Sequence, residues 1–243
     1  MMHNPPVLPD RAINPASPKA QAVQAVRVWD LPTRLFHWLL VLCIIGLFIT
    51  GHLGGNALVW HMRLGLTVLA LLSFRVLWGL LGGRWSRFAS FVRGPTTVLR
   101  YLRGPHRPDD HFDVGHNPLG AASVLAMLAL LAVQGATGLV ADDEIATTGP
   151  LNKFVASATG LAATSWHRDT GQWLLAALVA LHLGAIAYHR WRGHNLITPM
   201  LTGDKALDAA VPASSDTGRH RLLALLLLAL FAAGAVWIAR QGG

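Results

Sequence analysis

The hydrophobic pattern of this chain is long-period. After a polar start it runs into five apolar stretches, near Leu35–Gly51, Leu58–Leu80, Pro118–Val140, His167–His189 and Leu222–Ala239. At 1.5 Å of rise per residue, each is long enough to cross a hydrocarbon layer of about 30 Å. Five membrane-spanning helices leave no room for a large soluble domain. Residues 1–26 are rich in Pro, Ala and Gln and lack an apolar signal region, so they read as a disordered tail. Residues 206–221 read as a linker and 222–243 as a fifth span with a short tail. Between spans two and three the pattern predicts a short surface helix from Pro95 to Leu102, and between spans three and four a long loop over 141–166.

Charge gives the spans a direction. Fifteen basic residues fall on one side: Arg11, Lys19, Arg27 and Arg34; Arg84, Arg87, Arg93, Arg100, Arg103 and Arg107; Arg190, Arg192, Lys205, Arg219 and Arg221. Lys153 and Arg240 alone fall on the other, while Arg63, Arg75 and Arg168 lie within spans. The positive-inside bias puts the N-terminus in the cytoplasm and the C-terminus outside. It also accounts for the net charge of +8 without nucleic acid. Trp29, Trp60, Trp78, Trp85, Trp166 and Trp191 are expected at the interfaces. Asp142, Asp143 and Glu144 open the external loop, either as a solvated turn or as a docking edge for a basic partner.

Composition agrees and adds a chemical clue. The chain is 53% hydrophobic and 13% charged, with mean hydropathy +0.43. A single cysteine, Cys43, stands against 12 histidines. That excludes thioether-bound haem and cysteine-ligated iron–sulfur clusters within the chain, and leaves imidazole as the ligand to follow.

Four of the histidines in spans sit at two depths: His61 and His167 near the external ends of spans two and four, His37 and His182 near the cytoplasmic side of spans one and four. Ligating groups inside spans are functional candidates by default. His61 is followed by Gly65 and His167 by Gly171, one turn on, where a missing side chain would let a flat macrocycle approach the backbone. His167 and His182 are 15 residues apart, about 22 Å of rise and about 60° of rotation, so one helix offers imidazoles at two levels. The expected pairs are His61–His167 and His37–His182, each suited to one bis-imidazole haem iron. His52 is the rival for an outer ligand. His116 reads as structural or quinone-side, with Asn117 capping span three and Pro118 in its first turn. His189 reads as interfacial or as a proton relay. Arg63, near the outer pair, and Arg75, near the inner end of span two, are candidates for holding haem carboxylates.

The run Arg27-Val-Trp-Asp-Leu-Pro-Thr-Arg-Leu-Phe-His37-Trp resembles the opening of the bacterial cytochrome b-561 and nickel-hydrogenase b-type cytochrome family. So do His61-Met-Arg-Leu-Gly65, Phe74-Arg-Val-Leu-Trp-Gly79, Gly115-His-Asn-Pro-Leu-Gly120 and Leu181-His182, in the family's order over residues 27–205. The resemblance implies an all-α integral membrane four-helix bundle binding two non-covalent b-type haems through His37, His61, His167 and His182, plus one additional C-terminal transmembrane helix. It implies electron transfer between quinone and a periplasmic redox partner such as a hydrogenase, a c-type cytochrome or another oxidoreductase. It leaves open whether the chain is itself a quinone-reactive enzyme component and whether it forms a homodimer. The rival reading is a membrane anchor or assembly subunit of a redox complex without working haems. A histidine-lined metal transporter would want acidic ligands at mid-membrane, where the spans have no Asp or Glu pair.

Overall fold

The computed structural model describes residues 24–104, 110, 112, 114–145, 147–207 and 211–242. His3, His106 and His111, Arg11, Lys19 and Arg107, and residues 1–23 of the expected tail lie outside them.

The chain opens with strand β1 (Gln24–Arg27) and then α1 (Leu31–Leu53), whose N-terminus is capped by Asp30 accepting from the Thr33 amide. A tight turn through Gly54 and Gly55, both at positive φ, reverses the chain into α2 (Ala57–Leu81). Short helices α3 (Phe88–Phe91) and α4 (Pro95–Arg103) follow. Helix α5 spans Pro118–Val140, coinciding with the expected third span, and its first turn is capped by Asn117 on the Gly120 amide. Helix α6 (Ser157–Ser165) runs through a π-helical turn, Trp166–Gly171, into α7 (Gln172–Trp191). Helix α8 (Ile197–Thr202), strand β2 (Asp204–Leu207) and α9 (Gly218–Ala239) complete the order. The external loop is therefore shorter than its sequence suggests. Residues 157–165 are helical, held to the end of α5 by Thr164 Oγ1, which accepts from the Asp142 amide and donates to the Asp142 carbonyl.

Five helical segments are long and apolar enough to cross a membrane: α1, α2, α5, the continuous Ser157–Trp191 rod and α9. They form an α-helical membrane bundle. Helix α2 is its axis, packing against α1, α5 and α9, while α5 also packs on α7. Phe36, Cys43, Val68, Leu71, Leu72, Phe74, Trp78, Leu131, Leu175 and Ala224 form the core. The outer surface is apolar as well, with Leu42, Leu53, Leu181, Leu225 and Trp237 more than half exposed. Such a continuous apolar exterior needs lipid.

One end of the bundle carries a small polar cap. β1 pairs antiparallel with β2, Gln24 opposite Leu207 and Arg27 opposite Asp204, tying the start of α1 to the segment after α7. Arg27 bridges Asp204 and Asp216, and Arg221 also bonds Asp216. Beneath these ion pairs Val26, Val28, Trp29, Trp85, Val114 and Leu207 make a second apolar cluster. Asp30, fully buried, accepts from the amides of Thr33 and Gly83, from Trp78 Nε1 and from Ser86 Oγ. Trp29, Trp78 and Trp85 are thus cap and core residues and not interfacial anchors, because Asp30 and the Pro212 carbonyl take two of their indole N–H groups. The stretch read as a linker contributes too: Ser214 donates to the Val28 carbonyl and accepts from the Trp85 amide.

Candidate functional site

The opposite end of the bundle, below the 141–156 loop, holds a cavity of about 590 Å³ between α1, α2, α5 and the π-helical turn. His61 and His167 both line it, with ring centroids 5.9 Å apart and planes at 81°. Each ring is held from behind in the same way by the neighbouring helix. His61 Nδ1 lies 3.1 Å from the Leu47 carbonyl on α1, and His167 Nδ1 lies 2.9 Å from the Gln134 carbonyl on α5. A carbonyl only accepts, so both rings carry their proton on Nδ1 and leave Nε2 with a free lone pair. Three residues beyond each carbonyl stands a threonine, Thr50 or Thr137, with Oγ1 3.4 Å from the same Nδ1. The next residue is a glycine. A Cβ on Gly51 would come within 3.2 Å of the His61 ring, and one on Gly138 within 3.0 Å of the His167 ring. Each imidazole therefore has its Nδ1–Cε1 edge against bare backbone. The reading of the histidines alone misses these supports, and no sequence signal singles them out: Thr-Gly occurs seven times in the chain, and only at 50–51 and 137–138 does it back a histidine in this way.

The two glycines that follow the histidines differ from each other. Gly65 lines the cavity, and nothing lies within 4 Å of where its Cβ would be. Its open face fits the approach of a flat ligand. Gly171 does not line the cavity: a Cβ there would collide with Gln134 Oε1, so the space is filled by protein. The expectation that Gly171 faces a macrocycle is corrected accordingly. The physical cause is the π turn, whose i→i+5 bonding shifts residues 166–171 out of α-helical register. Gln134 stabilises that turn by donating from Nε2 to the His167 carbonyl at 3.1 Å, so one residue holds His167 by both backbone and side chain.

Two imidazoles alone do not close a coordination shell. Among the described residues, no group of three or more His, Cys, Asp or Glu side chains is placed to hold a metal ion. A metal held by these two rings would need its other ligands from a bound group, and a broad, mostly apolar cavity with one bare glycine face fits a haem. Two metal–nitrogen bonds of about 2 Å each suit the spacing of the rings. Nδ1–H donation to a carbonyl is the usual way a ligating histidine is oriented.

At the cap end the arrangement is looser. His37 on α1 and His182 on α7 interact electrostatically, and His37 Nδ1 is buried without a hydrogen-bond partner. Arg75 is buried at 3% exposure, over the Phe88 ring at 4.9 Å. His116 lies between Trp29 and Phe91, with both centroids at 4.8 Å. Burial, followed by the nearby positive charge of Arg75, pushes the His116 pKa down to about 3, so the ring is neutral at physiological pH. In the cap, burial alone would push the Asp216 carboxyl up. Hydrogen bonds from Arg221, the Leu31 amide and Arg27 outweigh it and hold the group below its usual range.

The remaining candidates fall elsewhere. Arg63 is exposed and stacks on Trp60 at 5.0 Å, away from the cavity lining, which Arg168 joins instead. His52 lines the cavity mouth, with Nδ1 taken by the Phe48 carbonyl at 2.8 Å and its ring against Trp173. His189 is in ring contact with Tyr188 and His194 at the far end of α7.

The comparisons with known proteins converge with this geometry. The family described as prokaryotic cytochrome b561 matches residues 28–203. The chain is also similar to the probable Ni/Fe-hydrogenase 1 B-type cytochrome subunit of Escherichia coli K12 and to its counterpart in Escherichia coli O157:H7. Each is 27% identical over 199 residues, covering 68% of this chain and 83% of the relative. No solved structure matches the chain.

Proposed function

The chain belongs to the prokaryotic cytochrome b561 family and is a multi-pass membrane b-type cytochrome for electron transfer; from that premise we propose a di-haem carrier linking the quinone pool to a periplasmic redox protein. The observation that supports it most is the His61–His167 pair, 5.9 Å apart with both Nδ1 atoms committed to carbonyls and both Nε2 atoms free. His61 and His167 hold the outer haem, and His37 and His182 the inner one. Bound haem supplies a one-electron iron couple whose potential depends on its axial ligands and on burial. The protein's contribution is to present neutral imidazoles, to fix their tautomer through the Leu47 and Gln134 carbonyls, and to keep water out with the apolar walls of α1, α2 and α5.

The excess of basic residues on the cap side supports a cytoplasmic cap and a periplasmic 141–156 loop. The redox partner then docks on the loop face, above the outer pair, and quinone exchanges on the cytoplasmic side. Since the relatives are named as hydrogenase cytochrome subunits, a nickel–iron hydrogenase is the first partner to test. The primary experiment is expression of the full chain in a haem-sufficient host. The expected result is a low-spin b-type reduced-minus-oxidised spectrum at two haems per chain, extractable with acid–acetone. One haem would remove the inner site, and none would remove the reading as a whole.

A further inference from the structure

Among the described residues, the buried nitrogens without a hydrogen-bond partner include Arg75 Nη1, His116 Nδ1 and His37 Nδ1, all toward the cap end. Arg75 is the sharpest anomaly. Its guanidinium is almost wholly buried, and among the described residues it makes no ion pair. Asp30 is near enough to interact electrostatically. Its carboxylate, however, is already committed to four neutral donors, the Thr33 and Gly83 amides, Trp78 Nε1 and Ser86 Oγ. A buried cation without a hydrogen-bonded anion is strongly destabilising, so a site that keeps one is built for an anion.

His116 belongs to the same place. Phe88 carries Arg75 on its face, Phe88 and Phe91 are in edge contact at 5.7 Å, and Phe91 packs against His116 at 4.8 Å. One aromatic shelf thus has the guanidinium at one end and the imidazole at the other. His116 also lies within electrostatic reach of Arg75, His37 and His182. Being neutral, it keeps one N–H to donate and adds no second charge to be compensated.

We propose that Arg75 and His116 form a single buried anion pocket at the cap end, and that its ligand is a carboxylate of the inner haem. The assignment rests on the reading of His37 and His182 as ligands of that haem. Arg75 supplies the charge and the forked donors that match a carboxylate, and His116 supplies one further hydrogen bond. The pocket then does two things: it retains the inner haem, and it holds a positive charge beside it that favours the reduced state.

The test uses the purified full-length protein, stripped of haem and reconstituted with protohaem or with its dimethyl ester, in which both carboxylates are masked. The inner haem is identified as the one lost in His182→Ala. Wild type is expected to bind the ester at the inner site at least tenfold more weakly than protohaem, whereas Arg75→Gln binds both equally weakly and Arg75→Lys recovers part of the difference. His116→Gln is expected to retain both haems, shifting the midpoint potential and ferric EPR signal of the inner one alone. Equal inner-site affinity of wild type for protohaem and ester would overturn the proposal, and this comparison needs no variant to fold. So would an Arg75→Gln protein that still discriminates the ester. Inorganic phosphate is the other source of a small anion. If it shifts the inner potential in wild type and not in Arg75→Gln, the pocket serves a free anion and the proposal fails. Wild type that binds no haem overturns the cytochrome reading and this pocket together, while two haems without ester discrimination overturn the pocket only.

Discussion

The two histidine pairs are organised on opposite principles. At the loop end both imidazoles are positioned by the protein alone: each Nδ1 is fixed by a carbonyl of the adjacent helix, and each ring rests on a glycine. At the cap end, among the described residues, His37 Nδ1, Arg75 Nη1 and His116 Nδ1 are all buried without a hydrogen-bond partner. The loop-end pair is preorganised by hydrogen bonds within the fold, whereas on the proposed reading the cap-end groups would be satisfied only by a bound ligand. Preorganisation lowers the cost of binding, so the outer site is expected to bind haem first and more tightly.

The most drastic way to break this comparison is to remove ligands. His61→Ala or His167→Ala should lower the haem content from two per chain to one and leave the inner haem's spectrum intact. His37→Ala or His182→Ala should do the converse. A pyridine haemochrome assay with a redox titration reads both. Loss of both haems from a loop-end variant would show that the two sites are not independent.

Glycine substitutions come next and separate protein support from ligand space. Gly171→Ala must expel the Gln134 side chain, stripping the His167 carbonyl of its donor, and overpacking of this kind costs about 1–3 kcal/mol. Thermal unfolding of the haem-free protein should reveal it. Gly65→Ala meets no protein atom, and alanine is the better helix former by about 1 kcal/mol. The haem-free protein should therefore be unharmed or slightly more stable, while haem affinity at the outer site falls. If Gly65→Ala left that affinity unchanged, the bare face of α2 would not be where the macrocycle lies.

This contrast between glycines also marks where the sequence stops being informative. Spans were legible because lipid demands long apolar runs, and the start of α5 was legible because Asn117 and Pro118 act locally. The four in-span histidines stood out because such residues are costly there. The π turn was not legible, since Trp166-His-Arg-Asp-Thr-Gly171 fits an α-helix equally well until Gln134 of another helix enters the space. The cap was hidden for the same reason: β1 and β2 are far apart in sequence, and each is only four residues long. Thr50-Gly51 and Thr137-Gly138 do not stand out among the chain's seven Thr-Gly dipeptides, because their meaning depends on which helices are neighbours.

A smaller effect concerns those threonines. Their hydroxyls donate to carbonyls one turn back, Thr50 to Gly46 at 2.6 Å and Thr137 to Val133 at 2.8 Å, and touch the histidine Nδ1 atoms only at 3.4 Å. Thr50→Val and Thr137→Val keep shape and remove the hydroxyl. Each should retain two haems and shift only the outer midpoint, by an amount well below that caused by moving Gln134. A shift of the inner midpoint instead would reverse the assignment of the two sites.

The smallest effect comes from pH, because the two ends differ in what titrates. The loop-end supports are carbonyl hydrogen bonds, whereas the cap is closed partly by Arg27, Asp216 and Arg221. Asp216 has a folded pKa below its ordinary value of 3.8, so its contribution is fully present above that value and is lost as pH falls through the lower folded one. Arg27 is shifted the other way, upward, first by its hydrogen bond to Asp204, so its contribution persists at every pH below its ordinary range. Acid weakening below about pH 4 is thus carried by the carboxylate. Arg27 is about a third exposed, so its pair with Asp216 is worth only about 0.2–1 kcal/mol. Hydrogen exchange at the Ser214 amide, bonded to the Arg27 carbonyl at 2.7 Å, is the direct readout. Asp216→Asn should lower its protection several-fold at neutral pH and abolish the further loss in acid, with the amides around Gln134 unchanged. Equal loosening at both ends would mean that the cap and the loop-end site share one cooperative unit, and the contrast between them would not survive.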